Sequence, residues 1–310
     1  MKKNIIVICG PTGIGKTGFA IGLAKKFNTE IVGADSMQIY RHLDIGTAKP
    51  DARERAMARH HMVDVADPDE DFDAAKFAGM ADTIIDGLDQ QGKVAIVAGG
   101  TGFYLKALLH GLFRGRAADP EVVARLEAEA ATGADLHSRL QGLDPESAAR
   151  IHPNDLFRVV RALEVVETTG RPISSFQQDH GFEAERYRCL KFGLYMDREK
   201  LYQRIEKRVD IMLEQGLVDE VRGLLDRGYS PDLKSMQSIG YRHVCDCLSG
   251  KFTFEETVRL LKRDTRRYAK RQFTWFRRDK DMIWLEPGET ERAENLVTEF
   301  LKKRDRRVRF

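Results

Sequence analysis

The sequence predicts an α/β protein: a P-loop parallel-sheet core with helical crossovers, plus an all-helical insertion domain. Three observations carry that expectation. The apolar run Ile5-Ile6-Val7-Ile8-Cys9 leads directly into Gly10-Pro11-Thr12-Gly13-Ile14-Gly15-Lys16-Thr17, which fits G-x-x-x-x-G-K-[ST] in the strand, loop and helix setting this phosphate-binding motif needs. Residues 1–112 alternate strand-like runs with helical periodicity, the mark of parallel strands joined by crossovers. Residues 113–183 hold helical patterns and no strand-like run. The expected organisation is a core made of 1–112 and 184–310, with an insertion over 113–183.

The first strand is the Ile5 to Cys9 run, and the first helix opens near Lys16 with Phe19, Leu23 and Phe27 on one face. Between them the glycines let successive backbone N–H groups turn toward phosphate oxygens. Lys16 adds a point charge, the helix start directs its positive dipole end at the anion, and the Thr17 hydroxyl can complete the shell of a Mg²⁺ ion. The motif identifies phosphates; it does not identify the reaction.

A second strand-like run over 30–34 ends at Asp35-Ser36-Met37-Gln38, so Asp35 projects from a strand's carboxyl end, where open α/β sheets bind ligands. A carboxylate there is a Mg²⁺ ligand, a general base or a helix cap, and the residues alone leave all three open. The run Val94-Ala95-Ile96-Val97-Ala98 ends in Gly99-Gly100-Thr101-Gly102 and lacks the Walker-B acid that P-loop hydrolases place there to hold the metal. Ordinary ATPase chemistry is therefore disfavoured, and no Asn-Lys-x-Asp segment supports guanine recognition. Thr101 either hydrogen-bonds a substrate or caps the helix that starts near Phe103.

Residues 111–120 break the alternation, and helical patterns follow at 122–131, 135–141, 147–151 and 155–168, the last ended by Gly170-Arg171-Pro172. A strand over 189–196 returns the chain to the sheet, after which 198–215, 218–226 and 254–278 read as helices. Arg204 and Arg208 fall one turn apart on the first of these, and either grip a diphosphate or pair on the surface with Glu206 and Asp210. On the last, Val258, Leu261, Thr265, Tyr268, Gln272 and Trp275 or Phe276 form a buried stripe. The same helix carries Arg259, Lys262, Arg263, Arg266, Arg267, Lys270, Arg271, Arg277 and Arg278 with few acids, a face suited to phosphate backbones. Residues 302–309 read as a frayed, charged tail.

At 310 residues, 42% of them hydrophobic and 32% charged, the chain suffices for a sizeable core and a satellite domain. No stretch approaches the ~20 apolar residues of a membrane span, so a cytoplasmic protein without membrane contact is expected. The 4 cysteines show no paired C-x-x-C spacing, and His243 with Cys245 and Cys247 lacks a fourth ligand, so no zinc is expected. A monomer is expected because no long exposed heptad pattern remains.

Taken together, Gly10 to Thr17, Asp35-Ser36-Met37-Gln38-Ile39-Tyr40, Asp44-Ile45-Gly46-Thr47-Ala48-Lys49-Pro50, His60-His61, Gly99-Gly100-Thr101, His152-Pro153-Asn154-Asp155, Ser238-Ile239-Gly240-Tyr241 and Lys270-Arg271-Gln272-Phe273-Thr274-Trp275 closely resemble the bacterial tRNA dimethylallyltransferase family. The match runs in order from about residue 4 to 285. This resemblance implies transfer of a dimethylallyl group from dimethylallyl diphosphate to the exocyclic N6 of adenosine 37 in tRNAs that read codons beginning with U. The product is N6-isopentenyladenosine, with Mg²⁺ as cofactor and diphosphate released. By the same resemblance Asp35 accepts a proton from, or orients, the adenine amine, and Thr101 contacts substrate. Gly13 to Thr17 and Arg208 bind the diphosphate, and Thr17 meets Mg²⁺. The implied tRNA contacts are Asp35, Ser36, Met37, Gln38, Thr101, Phe157, Arg158, Val159, Val160, Arg161, Gln237, Ser238, Ile239, Gly240, Tyr241 and Arg242. Val123 stands at a further contact position where family members often carry Arg. The insertion and the basic helix are expected to clamp the anticodon stem-loop, from which the target base must be extruded. The rival reading is a P-loop nucleotide or small-metabolite kinase, which also needs no standard Walker-B acid.

Overall fold

The structure is a computed structural model and describes residues 2–112, 119–181 and 185–305. It begins with β1 (Asn4–Cys9), α1 (Lys16–Lys26), β2 (Ile31–Ala34), α2 (Ala52–Met57), β3 (His60–His61), α3 (Ala74–Gln90), β4 (Ala95–Gly99) and α4 (Gly102–His110). Helices α5 (Pro120–Ala131), α6 (Leu136–Leu143), α7 (Pro145–Arg150), α8 (Leu156–Thr169) and α9 (Ile173–His180) follow. The chain then forms β5 (Arg188–Leu194), α10 (Arg198–Glu214), α11 (Leu217–Asp226), α12 (Tyr241–Leu248), α13 (Phe254–Phe276), β6 (Ile283–Leu285) and α14 (Thr290–Asp305).

The strands make one parallel sheet in the order β3-β2-β4-β1-β5-β6. Central β1 is buried along its whole length, and so reads as a continuous apolar run with no alternation. The registers Cys9↔Gly99 and Ala34↔Gly99 align the carboxyl ends of β1, β4 and β2. Three loops therefore start side by side, at Gly10, Asp35 and Gly100, where such sheets bind ligands.

The chain divides into one compact unit of Met1–Leu109 with Arg186–Phe310 and a second of His110–Glu185. The second has its own core of Leu126, Leu136, Leu140, Val159, Val160 and Leu163. The insertion bounds expected from sequence, 113 and 183, lie outside the described residues. No helix among the described residues is long and apolar enough to cross a membrane.

Several elements depart from expectation. Gly170, at φ 69, closes α8, but Pro172 does not end the helical run; it sits at the N-cap of α9. Strands β3 and β6, of 2 and 3 residues, carry too little sequence for any periodicity. Lys302 and Lys303 belong to the last turn of α14, whose Ala293 and Val297 are fully buried, so this part of the chain is no frayed tail. Residues 306–309 of that expectation lie outside the described residues.

Candidate active site

Gly13 and Gly15 adopt φ 82 and 101 between β1 and α1, a left-handed backbone that L side chains rarely take. Gly15 caps α1 without a side-chain hydrogen bond, so the first N–H groups of the helix are left for another acceptor. These residues, with Lys16 and Thr17, line a cleft of about 1010 Å³ that also takes in Asp35, Arg204 and Arg208. Lys16 Nζ donates to the carbonyls of Gly10 at 3.0 Å and Pro11 at 2.9 Å. Burial lowers the Lys16 ammonium to about 8; the Asp35 charge opposes the shift and Arg208 reinforces it. The Thr17 hydroxyl makes no hydrogen bond among the described residues.

Asp35 divides its two oxygens. Its Oδ1 accepts the N–H of Met37 at 2.9 Å and of Gln38 at 3.3 Å, ordering the turn that follows β2. Its Oδ2 accepts no hydrogen bond among the described residues. The turn is fastened to the end of β4, because the Thr101 N–H donates to Ala34 O at 3.2 Å and Thr101 Oγ1 accepts the Ser36 N–H at 3.0 Å. Gly99 permits that closeness: a Cβ there would lie 2.0 Å from Ala34 O. Thr101 thus pins the Asp35-Ser36 turn, a task that neither helix capping nor substrate contact had suggested. The Gln38 amide is likewise turned inward, donating to the carbonyls of Thr47 at 3.1 Å and Ala48 at 3.0 Å.

Arg208 reaches the site from α10 and its Nη2 donates to Thr12 Oγ1 on the phosphate loop. Its Nε is buried and without a partner, an arrangement that an anion in the cleft would satisfy. Burial pulls this guanidinium below its usual pKa, with Asp35 opposing and Arg204 reinforcing. The acids that sequence offered as surface partners face elsewhere: Glu206 pairs with Arg266 and Asp210 with Lys262 at 2.6 Å, both on α13. Arg204 and Arg208 are left on the cleft side.

The loop after Tyr40 is tied down by two residues that periodicity does not reveal. Glu220 accepts the N–H groups of Asp44, Ile45 and Gly46 at 3.0, 2.7 and 3.1 Å, and also the Tyr241 hydroxyl. Lys49 donates to Tyr40 O at 2.7 Å, Asp44 Oδ1 at 2.6 Å and Asp64 Oδ1 at 2.7 Å. Lys49 stands inside the Asp44 to Pro50 motif; Glu220 carried no signal, since a lone acid on an amphipathic helix is unexceptional.

The implied RNA contacts separate by burial. In the insertion, Phe157 is 77% exposed and Arg158 is exposed, while Arg161 pairs with buried Glu164. Val159 and Val160 point into that unit's core and Val123 packs partly against it, so the expectation of side-chain RNA contact is corrected for Val159 and Val160. In the other unit, Gln237 is exposed, Ser238 and Ile239 are half-buried, and Arg242 pairs with Asp264 at 3.1 Å. Gly240 is buried and Tyr241 is fully buried on Glu220, which removes the Tyr241 ring as an RNA contact. The cationic face of α13 is also narrower than its sequence suggests, because acids from α10 and from its own turns neutralise Arg259, Lys262, Arg263 and Arg266. Lys270, Arg271, Arg277 and Arg278 are exposed and make no ion pair among the described residues. The His243 ring is engaged by the Gly240 N–H at 3.4 Å and by Asp264 at 3.2 Å.

A family model described as IPP transferase matches residues 38–279. The chain belongs to the IPP transferase family. It is 55% identical over 304 residues to tRNA dimethylallyltransferase of Desulfosudis oleivorans, covering 97% of each chain. It is 52% identical to the tRNA dimethylallyltransferase of Desulfatibacillum aliphaticivorans, over 97% of this chain and 99% of the other. The solved tRNA isopentenylpyrophosphate transferase of Bacillus halodurans matches with a TM-score of 0.75 at 38% identity, covering 100% of both chains. A eukaryotic dimethylallyltransferase acting on tRNA matches with a TM-score of 0.82 at 30% identity, covering 97% of this chain and 80% of the other. The α/β architecture of this IPP transferase family member is that of its solved relatives.

Proposed function

We propose that this protein transfers the dimethylallyl group of dimethylallyl diphosphate to the exocyclic N6 of adenosine 37 in tRNAs reading codons that begin with U, with Mg²⁺ as cofactor. The observation that supports this most is the uncommitted Asp35 Oδ2 sharing one cleft with the phosphate loop, Lys16 and Arg208. In this reading the carbon–oxygen bond of the prenyl diphosphate breaks, an N6–carbon bond forms, the N6 proton passes to Asp35 Oδ2, and diphosphate leaves on the loop. Negative charge grows on the departing oxygen, and the N–H groups at the start of α1, Lys16 and the orphan Arg208 Nε are the donors that stabilise it. An adenine amine becomes acidic only as it is alkylated, so the position of Asp35 matters more than its basicity.

The donor set fits a diphosphate-borne cation. Among the described residues no group of three or more His, Cys, Asp or Glu is arranged to hold a metal, whereas the free Thr17 hydroxyl lines the cleft. Mg²⁺ is commonly held this way, by substrate phosphates and few protein oxygens. When bound, it offsets charge on the leaving diphosphate. For RNA, the exposed cations of α13 offer phosphate contacts, and Phe157 with Arg158 offers the insertion an aromatic and a cation for an unstacked loop. We assign the protein to the cytoplasm as a monomer.

The test is incubation of the purified protein with Mg²⁺, dimethylallyl diphosphate and unmodified tRNA, followed by mass measurement of the nucleosides and of the nuclease fragment that carries position 37. N6-isopentenyladenosine at position 37 with released diphosphate is the expected result. Phosphoryl transfer from labelled ATP to a small acceptor, with no prenylated nucleoside, would overturn the reading in favour of a kinase.

A further inference from the structure

Helix α13 was legible as an amphipathic helix, yet its buried face contains a residue that a simple apolar stripe does not explain. Gln272 is only 7% exposed, and both ends of its amide are used on different loops of the site. Oε1 accepts the Thr12 N–H at 2.8 Å, and Nε2 donates to Gly100 O at 2.9 Å. We propose that Gln272 is a positioning residue, a strut that sets the separation between the leaving-group loop after β1 and the Asp35 side of the site.

The reason is the connectivity at each end. Thr12 also accepts Arg208 through its hydroxyl, so a shift of Thr12 carries the guanidinium with it. Gly100 precedes Thr101, whose hydroxyl receives the Ser36 N–H and whose N–H holds Ala34, so a shift of Gly100 carries Asp35. A continuous path of hydrogen bonds and short chain segments thus runs from Arg208 through Thr12, Gln272, Gly100 and Thr101 to Asp35. The reacting groups sit at its two ends and Gln272 is the link contributed by α13. The demand on that link is directional: an acceptor must face Thr12 while a donor faces Gly100, which a primary amide supplies and a carboxylate or thioether does not. The space is closed as well, since a Cβ at Gly100 would lie 2.3 Å from Gln272 Nε2. In-line displacement with proton removal depends on both groups being placed at once, and small misplacements reduce turnover steeply.

This inference rests on the prenyl-transfer reading, and the experiment separates the two. Parent protein that forms no prenylated tRNA defeats the functional reading. With active parent, Gln272→Met fills the same space without the amide and should lower kcat about 10- to 100-fold, with KM for dimethylallyl diphosphate changed by less than about threefold. Gln272→Glu keeps the length but turns an acceptor toward the Gly100 carbonyl, so its kcat should fall about as far as that of Gln272→Met. Loss confined to KM, or kcat within about twofold of parent for either variant, would overturn the strut. If neither variant folds in a thermal melt, Gln272→Asn carries the test, because its shorter amide cannot span both backbone groups; parent-level kcat overturns the proposal. A readout free of turnover is amide hydrogen exchange at Thr12, slow in the parent and faster in Gln272→Met; equal rates would also overturn it.

Discussion

At the scale of single residues, Asp35 and Lys16 make opposite demands on the cleft. Asp35 spends one oxygen on its own turn and leaves the other uncommitted. Asp35→Asn keeps the shape and an oxygen for the turn, so it should retain tRNA binding while kcat falls by about 10² to 10⁴, the usual range for loss of a general base. Turnover within tenfold of the parent would remove the proton-accepting role. For Lys16 the sign follows from its depressed pKa of about 8. Bound diphosphate favours the ammonium form, so the pKa rises on binding and protons are taken up when pH exceeds that of the free site. Affinity for inorganic diphosphate should then be largest below about 8 and decline as pH rises through it. Taking the ratio of parent to Lys16→Met affinity cancels the ligand's own ionisation. A ratio that does not move with pH would show that burial of Lys16 has no bearing on anion binding.

Among the elements, what sequence revealed depended on whether an element's reason for existing is local. Strands β1, β2 and β4 are buried apolar runs and were legible, as was the glycine-rich loop, because its backbone geometry dictates residue type. Strands β3 and β6 exist through register alone, Val32↔His61 and Gly193↔Trp284 among their pairs, and nothing in so short a segment announces a partner. Burial of Tyr241 and the inward turn of Gln38 likewise depend on partners outside their own elements, Glu220 on α11 and the loop at Thr47, which no local periodicity reports. The cationic face of α13 shows the same limit, since its neutralising acids Glu206 and Asp210 lie on α10. That difference is measurable. Replacing Lys270 and Arg271 with alanine should flatten the dependence of tRNA affinity on salt by about 0.7 to 1 in slope per lost phosphate contact. Arg266→Ala should move the slope less, because Glu206 already holds that charge. Identical slopes for parent and the Lys270/Arg271 variant would take this helix end out of the RNA interface. The loop beside the cleft has its own anchor: Lys49, with a side chain 2% exposed, satisfies three oxygens. Lys49→Met should lower unfolding stability by about 2 kcal/mol in urea titration, since Tyr40 O loses its donor in a buried setting.

On the scale of the whole molecule, the division into a sheet-based unit and a helical one was visible because strand-like runs stop and later resume. The fifth helix of the insertion, α9, was hidden by Gly170-Arg171-Pro172, since a proline after a helix-ending glycine marks equally well the close of one helix and the start of the next. The helical unit has the internal provisions of an independent domain. Its core gathers Leu126, Leu136, Leu140, Val159, Val160 and Leu163, and two buried acids, Asp144 and Glu164, find their partners within it. Asp144, 1% exposed, accepts the N–H of Ser147 at 3.0 Å and of Ser174 at 3.0 Å, while buried Glu164 accepts the Asp119 N–H at 3.0 Å. Domains of about 60 residues lie near the lower limit of what a single core sustains, so the margin is small. Residues 119–181 expressed alone should nevertheless be helical by circular dichroism and unfold in one cooperative step. Asp144→Ala in that fragment should lower the melting midpoint, because it strips the acceptor from two buried N–H groups at once. A broad, non-cooperative melt of the parent fragment would mean that the helical unit owes its order to the chain outside it, and that its separate core is insufficient.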